Sequence, residues 1–234
     1  MAPGNHGSQA PRRQGGRIAL VLAGIVLPLG GFAALVDGLH DGQAFAFDIP
    51  ILRAVHALAN STLDHAFLVV TALGYGWGVL PADGILLLWL AWTGRAREAV
   101  FASVAIVGAL ALDLAIKHAF ARGRPSPWAA LVHESSYSFP SGHAMASMTL
   151  AWVVALLCWS GSTRVGWTIR WPATLAAAAF VLLVGVSRLY LGLHYPSDIL
   201  AGWTVASAWV VSVHAITFRP WREPPPPAPG AGTG

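Results

Sequence analysis

The eight residues SYSFPSGH at positions 136–143, followed by the apolar run Ala144–Trp159, decide how this chain folds. A Pro-Ser-Gly turn that opens a helix leaves the first backbone N–H groups unpaired, with the positive end of the helix dipole behind them. Such a helix start binds anions. His143 falls in the first turn, where its side chain can exchange a proton with a bound anion.

The composition around this run is that of a membrane protein. Of the 234 residues, 56% are hydrophobic and 10% are charged, and the mean hydropathy is +0.60. A soluble domain carries roughly a quarter charged residues, because water must wet its surface. We therefore predict an all-α, polytopic membrane protein.

The basic residues do not indicate a nucleic-acid partner. The isoelectric point is about 9.8, but the arginines and Lys117 are scattered over short loops. They form no basic patch with aromatic residues between the charges. The single Cys158 lies in an apolar run, so it carries no information about the redox compartment.

Apolar runs outward from the quoted stretch predict six transmembrane helices. They lie at about Ile18–Val36, Ala66–Trp92, Ala99–Ala115, Ala144–Trp159, Pro172–Val186 and Ile199–Phe218. Between the first two, Asp37–Asn60 has apolar residues at helical spacing, which predicts an amphipathic helix at the membrane interface. Residues 1–17 and 219–234 are expected to be disordered cytoplasmic tails on either side of a membrane domain at 18–218.

Two of these spans allow a second interpretation. The first run also fits a cleaved signal peptide, because arginines precede it and Ala-Phe-Ala follows at 44–46. The glycine-rich run Ala66–Trp92 fits one long kinked span, or a short surface helix followed by a span over about 76–92.

The distribution of arginines predicts the topology. Nine of the 14 basic residues fall in alternate loops, which assigns those loops to the cytoplasm. This requires a single crossing between Arg53 and Arg95, so both termini are cytoplasmic. Three polar clusters, Lys117–Pro125, Ser136–His143 and Ser187–Asp198, then share the opposite, extracytoplasmic face.

The first and third clusters supply charged groups and a second histidine. Lys117 and Arg124 are seven residues apart and share one face if the helix continues to Gly123. Asp113, one turn earlier, is expected to pair with Lys117. Taken alone, this cluster also fits simple contact with lipid headgroups.

In the third cluster, Pro196 suits the first turn of the last span, which places Asp198 near a helix start. Asp198 is then able to accept the N–H of one imidazole nitrogen of His194 and leave the other as a nucleophile. The alternative is a loop histidine capped by a helix-start aspartate. The three clusters together predict a phosphoryl-transfer site, in which cations replace a metal as charge neutralisers. We expect no metal and no cofactor.

The segments KHAFARGRP (117–125), SFPSGH (138–143) and SRLYLGLHYPSD (187–198) resemble the three-part signature of the type 2 phosphatidic acid phosphatase family. All three match in order and spacing, and the resemblance covers about residues 18–218. It implies that His194 is the nucleophile that becomes phosphohistidine, that Asp198 orients it and that His143 protonates the leaving oxygen. The residues that it implies for phosphate binding are Lys117, Arg124, Ser141, Gly142 and Arg188.

The family also includes soluble vanadate-dependent haloperoxidases, but six apolar spans favour the membrane lipid-phosphatase branch. LVHESSYSFPSGH (131–143) is similar to bacterial members acting on phosphatidylglycerophosphate or undecaprenyl diphosphate. The expected partners are therefore the bilayer of the cell (inner) membrane and a lipid phosphate. A phosphotransferase with a non-water acceptor and a non-catalytic lipid-phosphate binding or transport protein are the alternatives. Glu134 and Tyr137 either shape headgroup access or are ordinary loop residues.

Overall fold

The helices account for the regular structure in the part of the chain that the computed structural model describes, residues 19–39, 45–125, 128, 132, 134–159 and 166–218, where no strand occurs. In chain order they are α1 (Ala19–Leu39), α2 (Asp48–His56), α3 (Ser61–Leu73), α4 (Val79–Trp92), α5 (Ala96–Phe120), α6 (Gly142–Trp159), α7 (Trp167–Tyr190) and α8 (Pro196–Thr217). A π-helical turn, Leu22–Val26, lies within α1. The predicted all-α class is confirmed.

Five of these helices, α1, α5, α6, α7 and α8, are long and apolar enough to cross a membrane. Large apolar side chains on them, such as Leu27, Val107 and Leu182, remain exposed, as expected for surfaces that face lipid. The structure is that of a polytopic membrane protein.

The predicted span Ala66–Trp92 is divided into α3 and α4. The break follows from the glycines at its centre, because a Cβ on Gly78 would lie 2.1 Å from the carbonyl oxygen of Leu73. The 14 residues of α4 extend about 21 Å, less than the roughly 30 Å of a bilayer core. The count of six spans is thus not confirmed and remains a prediction.

The amphipathic helix expected within Asp37–Asn60 is present as α2, which buries Asp48 and Leu52. Its position at the membrane interface remains a prediction. Asn60 ends this connection as the N-cap of α3, where its side-chain oxygen accepts a hydrogen bond from Leu63 N at 3.0 Å. The predicted tails, 1–17 and 219–234, lie outside the described residues.

Helices α6 and α8 form the centre of the bundle, with α5 and α7 packed against α6, and α1 against α8. Close approach depends on small residues: a Cβ on Gly108 in α5 would lie 2.1 Å from the ring of Trp209 in α8. The Trp209 indole donates to the carbonyl of Ala105 at 3.0 Å. Helices α5 and α7 end on the side of the bundle on which α6 and α8 begin. The connecting segments 121–125, 134–141 and 191–195 therefore meet at this end of the bundle.

Candidate active site

A cleft of about 400 Å³ lies at this end of the bundle. Its lining residues are Tyr75, Lys117, Glu134, Ser135, Ser136, Gly142, His143 and His194. The three polar clusters of the sequence therefore meet in one place, as predicted.

Lys117 lies in the last turn of α5, with its Nζ atom 2.7 Å from Oδ2 of Asp113. Both side chains are buried, and the predicted ion pair is confirmed. The helix ends at Phe120, and Ala121 adopts a left-handed conformation with φ 43°. The helix therefore does not continue to Gly123, the condition under which Lys117 and Arg124 would share a face, and Arg124 lies in the non-helical segment 121–125. Pro125 favours this outcome, because a residue before proline avoids the α region.

Arg124 joins the three clusters. Its guanidinium donates hydrogen bonds to the carbonyl oxygens of Ser136 and Leu193, both at 2.8 Å. Its Nη1 atom also lies 3.0 Å from Nε2 of His194. The forked side chain is thus held against Ser136 and His194, two residues that line the cleft, with one nitrogen beside the expected nucleophile.

Arg188, in the last turn of α7, is 1% exposed. It donates to the hydroxyl of Thr71 and lies 3.4 Å from Nε2 of His143. The ring of Tyr75 lies 5.1 Å from that of His143. Thr71 and Tyr75 escaped sequence analysis because they sit in an apolar, glycine-rich run without motif spacing. The one sequence feature that could have indicated a site role for them was a hydroxyl group within an otherwise apolar run.

Glu134 bridges the two arginines. One carboxylate oxygen lies 2.7 Å from Nη2 of Arg124 and the other pairs with Nη2 of Arg188. Burial raises the pKa of Glu134, but the positive charges of Arg188 and Arg124 outweigh it and lower the pKa to about 2. Glu134 is therefore a carboxylate held by the cationic groups of the cleft, whereas Tyr137 is exposed and does not line it.

His194 is 1% exposed, and its Nδ1 atom lies 2.8 Å from the carbonyl oxygen of Ser138. A carbonyl only accepts hydrogen bonds, so this contact assigns the proton to Nδ1 and leaves a lone pair on Nε2. Burial, followed by the charges of Arg188 and Arg124, lowers the pKa of His194 well below its usual value. The imidazole is therefore neutral at pH 7.

Asp198 does not make the hydrogen bond that the sequence suggested. Its Oδ2 atom lies 3.6 Å from Nδ1 of His194, and the Ser138 carbonyl takes its place as acceptor. The carboxylate instead accepts the Ser138 hydroxyl, the backbone N–H of Tyr195 at 2.8 Å, and Arg122. Asp198 thus holds Ser138 in position, and the carbonyl of Ser138 orients His194.

A second aspartate extends this network to α2. Asp48 is fully buried, pairs with Nη2 of Arg122 at 3.0 Å, and accepts the backbone N–H of Ser197 at 2.9 Å. Sequence analysis missed both Asp48 and Arg122. Asp48 resembled an ordinary first-turn acid of an amphipathic helix, and only tertiary contact reveals its partners.

The start of α6 provides the expected N–H groups, with one change. Ser141 donates its backbone N–H to the carbonyl of Asp198 at 3.0 Å, and its hydroxyl faces the backbone N–H of Ala144 at 3.5 Å, as an N-cap does. The backbone N–H and the hydroxyl of Ser141 therefore both contact backbone groups of the protein itself. Gly142 and His143 are the first helical residues, whose N–H groups lack an intrahelical acceptor.

Gly142 has a further steric role in the cleft. A Cβ at this position would lie 2.9 Å from Nζ of Lys117 and 3.2 Å from Oδ2 of Asp113. A larger residue here would therefore require the Lys117–Asp113 pair to shift away from the helix start.

The assembled groups suit a phosphoryl group. Lys117 lines the cleft, and both Arg124 and Arg188 pair with its lining residue Glu134. His194 offers a lone pair, and His143 lies beside Arg188. Among the described residues, no group of three or more His, Cys, Asp or Glu side chains forms a metal site.

Comparison with known proteins gives consistent results. The model of the PAP2 superfamily matches residues 98–222. Phosphatidylglycerophosphatase B of Bacillus subtilis (strain 168) is 28% identical over 179 residues, 74% of this chain and 85% of that protein. Undecaprenyl-diphosphatase BcrC of the same organism is also 28% identical, over 67% of this chain and 77% of its own length.

One solved structure is similar along nearly its whole length. It is the crystal structure of the first transmembrane PAP2 type phosphatidylglycerolphosphate phosphatase from Bacillus subtilis, with 25% identity and a TM-score of 0.70. The similarity covers 88% of this chain and 98% of that one.

Proposed function

Because the chain belongs to the PAP2 superfamily, we propose that it is an integral-membrane lipid phosphatase that works through a phosphohistidine intermediate. The observation that carries this proposal is the state of His194. Its Nδ1 proton is directed to the Ser138 carbonyl and its Nε2 lone pair faces Arg124 at 3.0 Å. A neutral imidazole beside a phosphate-binding guanidinium suits nucleophilic attack on phosphorus.

In the first step, Nε2 of His194 attacks phosphorus while the bond to the leaving oxygen breaks. Lys117, Arg124 and Arg188 neutralise the phosphoryl oxygens, and the N–H groups of Gly142 and His143 add donors at the helix start. His143 gives its proton to the leaving oxygen, so the lipid departs as a neutral alcohol or, from a diphosphate, as a monophosphate.

In the second step, water attacks the phosphohistidine. His143, now without its proton, accepts one from that water, and the N–P bond breaks to return neutral His194 and inorganic phosphate. Asp198 acts as a positioning residue, because it holds Ser138 and through that residue the ring of His194.

The substrates that we propose are undecaprenyl diphosphate, phosphatidylglycerophosphate and phosphatidate. Relatives that match most of this chain carry the first two activities in their names. A cleft at the helix ends suits such lipids, because the phosphate can enter it while the hydrocarbon chains of the lipid remain beside the apolar helices.

We expect purified protein to release inorganic phosphate from at least one lipid of this panel with EDTA present throughout. The physical reason is that three cationic side chains supply the charge neutralisation for which other phosphatases use metal ions. Vanadate should inhibit, because it can take up five-coordinate geometry at the position that His194 attacks.

A strict requirement for Mg²⁺ would overturn the metal-independent mechanism. Transfer of labelled phosphate to an added alcohol without release to water would assign a phosphotransferase instead. Phosphate binding without turnover of any panel lipid would leave only a binding protein.

We further propose that α4 serves as a short sixth span, that both termini are cytoplasmic and that the cleft faces outward. The alternation of arginine-rich loops supports this orientation. Ser135→Cys and Ser162→Cys, each in a Cys158→Ser background, should react oppositely with an impermeant maleimide on intact cells. Ser135 is exposed at the cleft and should label. Labelling at position 162 alone would place the chemistry in the cytoplasm.

A further inference from the structure

The phosphate-binding arginines already hold an anion that belongs to the chain itself. Each carboxylate oxygen of Glu134 pairs with a different guanidinium, with Arg124 at 2.7 Å and with Arg188. Glu134 also lines the cleft beside Lys117 and His194. A phosphoryl group bound by the same two arginines must therefore displace this carboxylate.

The charges of the cleft define what can displace it. Lys117, Arg124 and Arg188 carry three positive charges, and Asp113 neutralises one through its pair with Lys117. With His194 neutral, these four side chains together leave two positive charges for a ligand. Glu134 neutralises one of these and leaves one. A phosphate dianion in its place would neutralise both.

We propose that Glu134 is a specificity-determining residue that keeps phosphodiester headgroups out of the cleft. Its carboxylate is displaced from Arg124 and Arg188 only by dianionic phosphates. This inference rests on the proposed function. A phosphodiester carries one negative charge, so its exchange for the Glu134 carboxylate gains no charge neutralisation. A phosphomonoester, or the terminal phosphate of a diphosphate, gains one further neutralised charge.

Competition between Glu134 and lipid headgroups for the two arginines matters because the protein lies in a membrane. The bulk lipids of a bilayer are phosphodiesters, and a cleft at the helix ends meets them at high local concentration. Without Glu134, the two uncompensated positive charges of the cleft would bind such headgroups non-productively. A carboxylate on the same chain competes at an effective concentration on the order of millimolar or higher, without being consumed or diffusing away.

The test compares wild type with Glu134→Gln, which keeps the side-chain size and removes the charge. The first readout is inhibition of soluble aryl phosphate hydrolysis by phosphatidylglycerol in detergent micelles, with neutral diacylglycerol as the dilution control. We expect half-inhibition of the variant at a mole fraction of phosphatidylglycerol at least about tenfold lower than for wild type. The second readout is calorimetric binding of inorganic phosphate, which should also tighten in Glu134→Gln.

Two further variants separate this role from a structural one. Glu134→Asp keeps the charge and should keep most of the resistance to phosphatidylglycerol. Glu98→Gln makes the same chemical change in the first turn of α5, where Glu98 pairs with Arg95 at 3.1 Å. It lies about 28 Å along α5 from Lys117 and should leave the inhibition curve unchanged.

Equal inhibition of wild type and Glu134→Gln by phosphatidylglycerol would overturn the inference. A loss of kcat in Glu134→Gln without a change in this inhibition would also overturn it, because Glu134 would then act in the chemistry. Failure of the wild type to bind inorganic phosphate or hydrolyse any phosphate ester would instead contradict the proposed function.

Discussion

Replacing His194 with asparagine should abolish phosphate release, with a loss of about 10⁴-fold or more in kcat, as expected when a covalent nucleophile is removed. Asparagine is the informative substitution because its amide can still donate to the Ser138 carbonyl, which receives Nδ1 of His194 at 2.8 Å. The variant thus keeps the hydrogen bond and lacks the Nε2 lone pair. Steady-state phosphate release and trapping of an acid-labile, alkali-stable phosphoenzyme are the measurements.

The matched control is His118→Asn. His118 is exposed near the end of α5, and its Nδ1 atom contacts the carbonyl of Leu114 at 2.7 Å, outside the cleft. This variant should retain wild-type turnover and form the phosphoenzyme. If His194→Asn kept more than a small fraction of the activity, or still formed the labelled intermediate, His194 would not be the nucleophile.

Replacing His143 with alanine should slow the hydrolysis of alkyl phosphates by about 10²–10⁴-fold, the usual worth of a general acid. Aryl phosphates should lose much less, because an aryloxide departs without protonation. The position of His143 in the first turn of α6, lining the cleft with Nε2 3.4 Å from Arg188, is the basis for this role. The measurement is kcat/KM across esters of graded leaving-group acidity, which should depend more steeply on that acidity in the variant.

His65→Ala serves as the control for this series. His65 is an exposed histidine of α3 whose Nδ1 atom contacts the carbonyl of Ser61 at 2.6 Å, so its removal should leave the dependence unchanged. Equal losses of His143→Ala on aryl and alkyl esters would refute proton donation. Such a result would assign His143 to phosphate binding instead.

The sequence alone determined the helical class and the meeting of three polar clusters, for a simple physical reason. In hydrocarbon every backbone N–H and C=O must be satisfied within its own segment, so apolar runs become helices and polar residues gather at their ends. The spacing of Asp113 and Lys117, one turn apart, was enough to predict their ion pair. Local periodicity carries such information because both partners lie on one helix.

Only the tertiary structure decided which partner each polar group takes. The acceptor for His194 is the Ser138 carbonyl rather than Asp198, because Asp198 is occupied by Ser138, Tyr195 and Arg122.

Two further carboxylates follow the same rule. Asp48 joins the site across 149 residues of sequence through Ser197, and Glu134 bridges arginines from two different clusters. Buried charges bind whichever partners the packed helices bring within hydrogen-bonding distance, and no spacing along the chain encodes that distance.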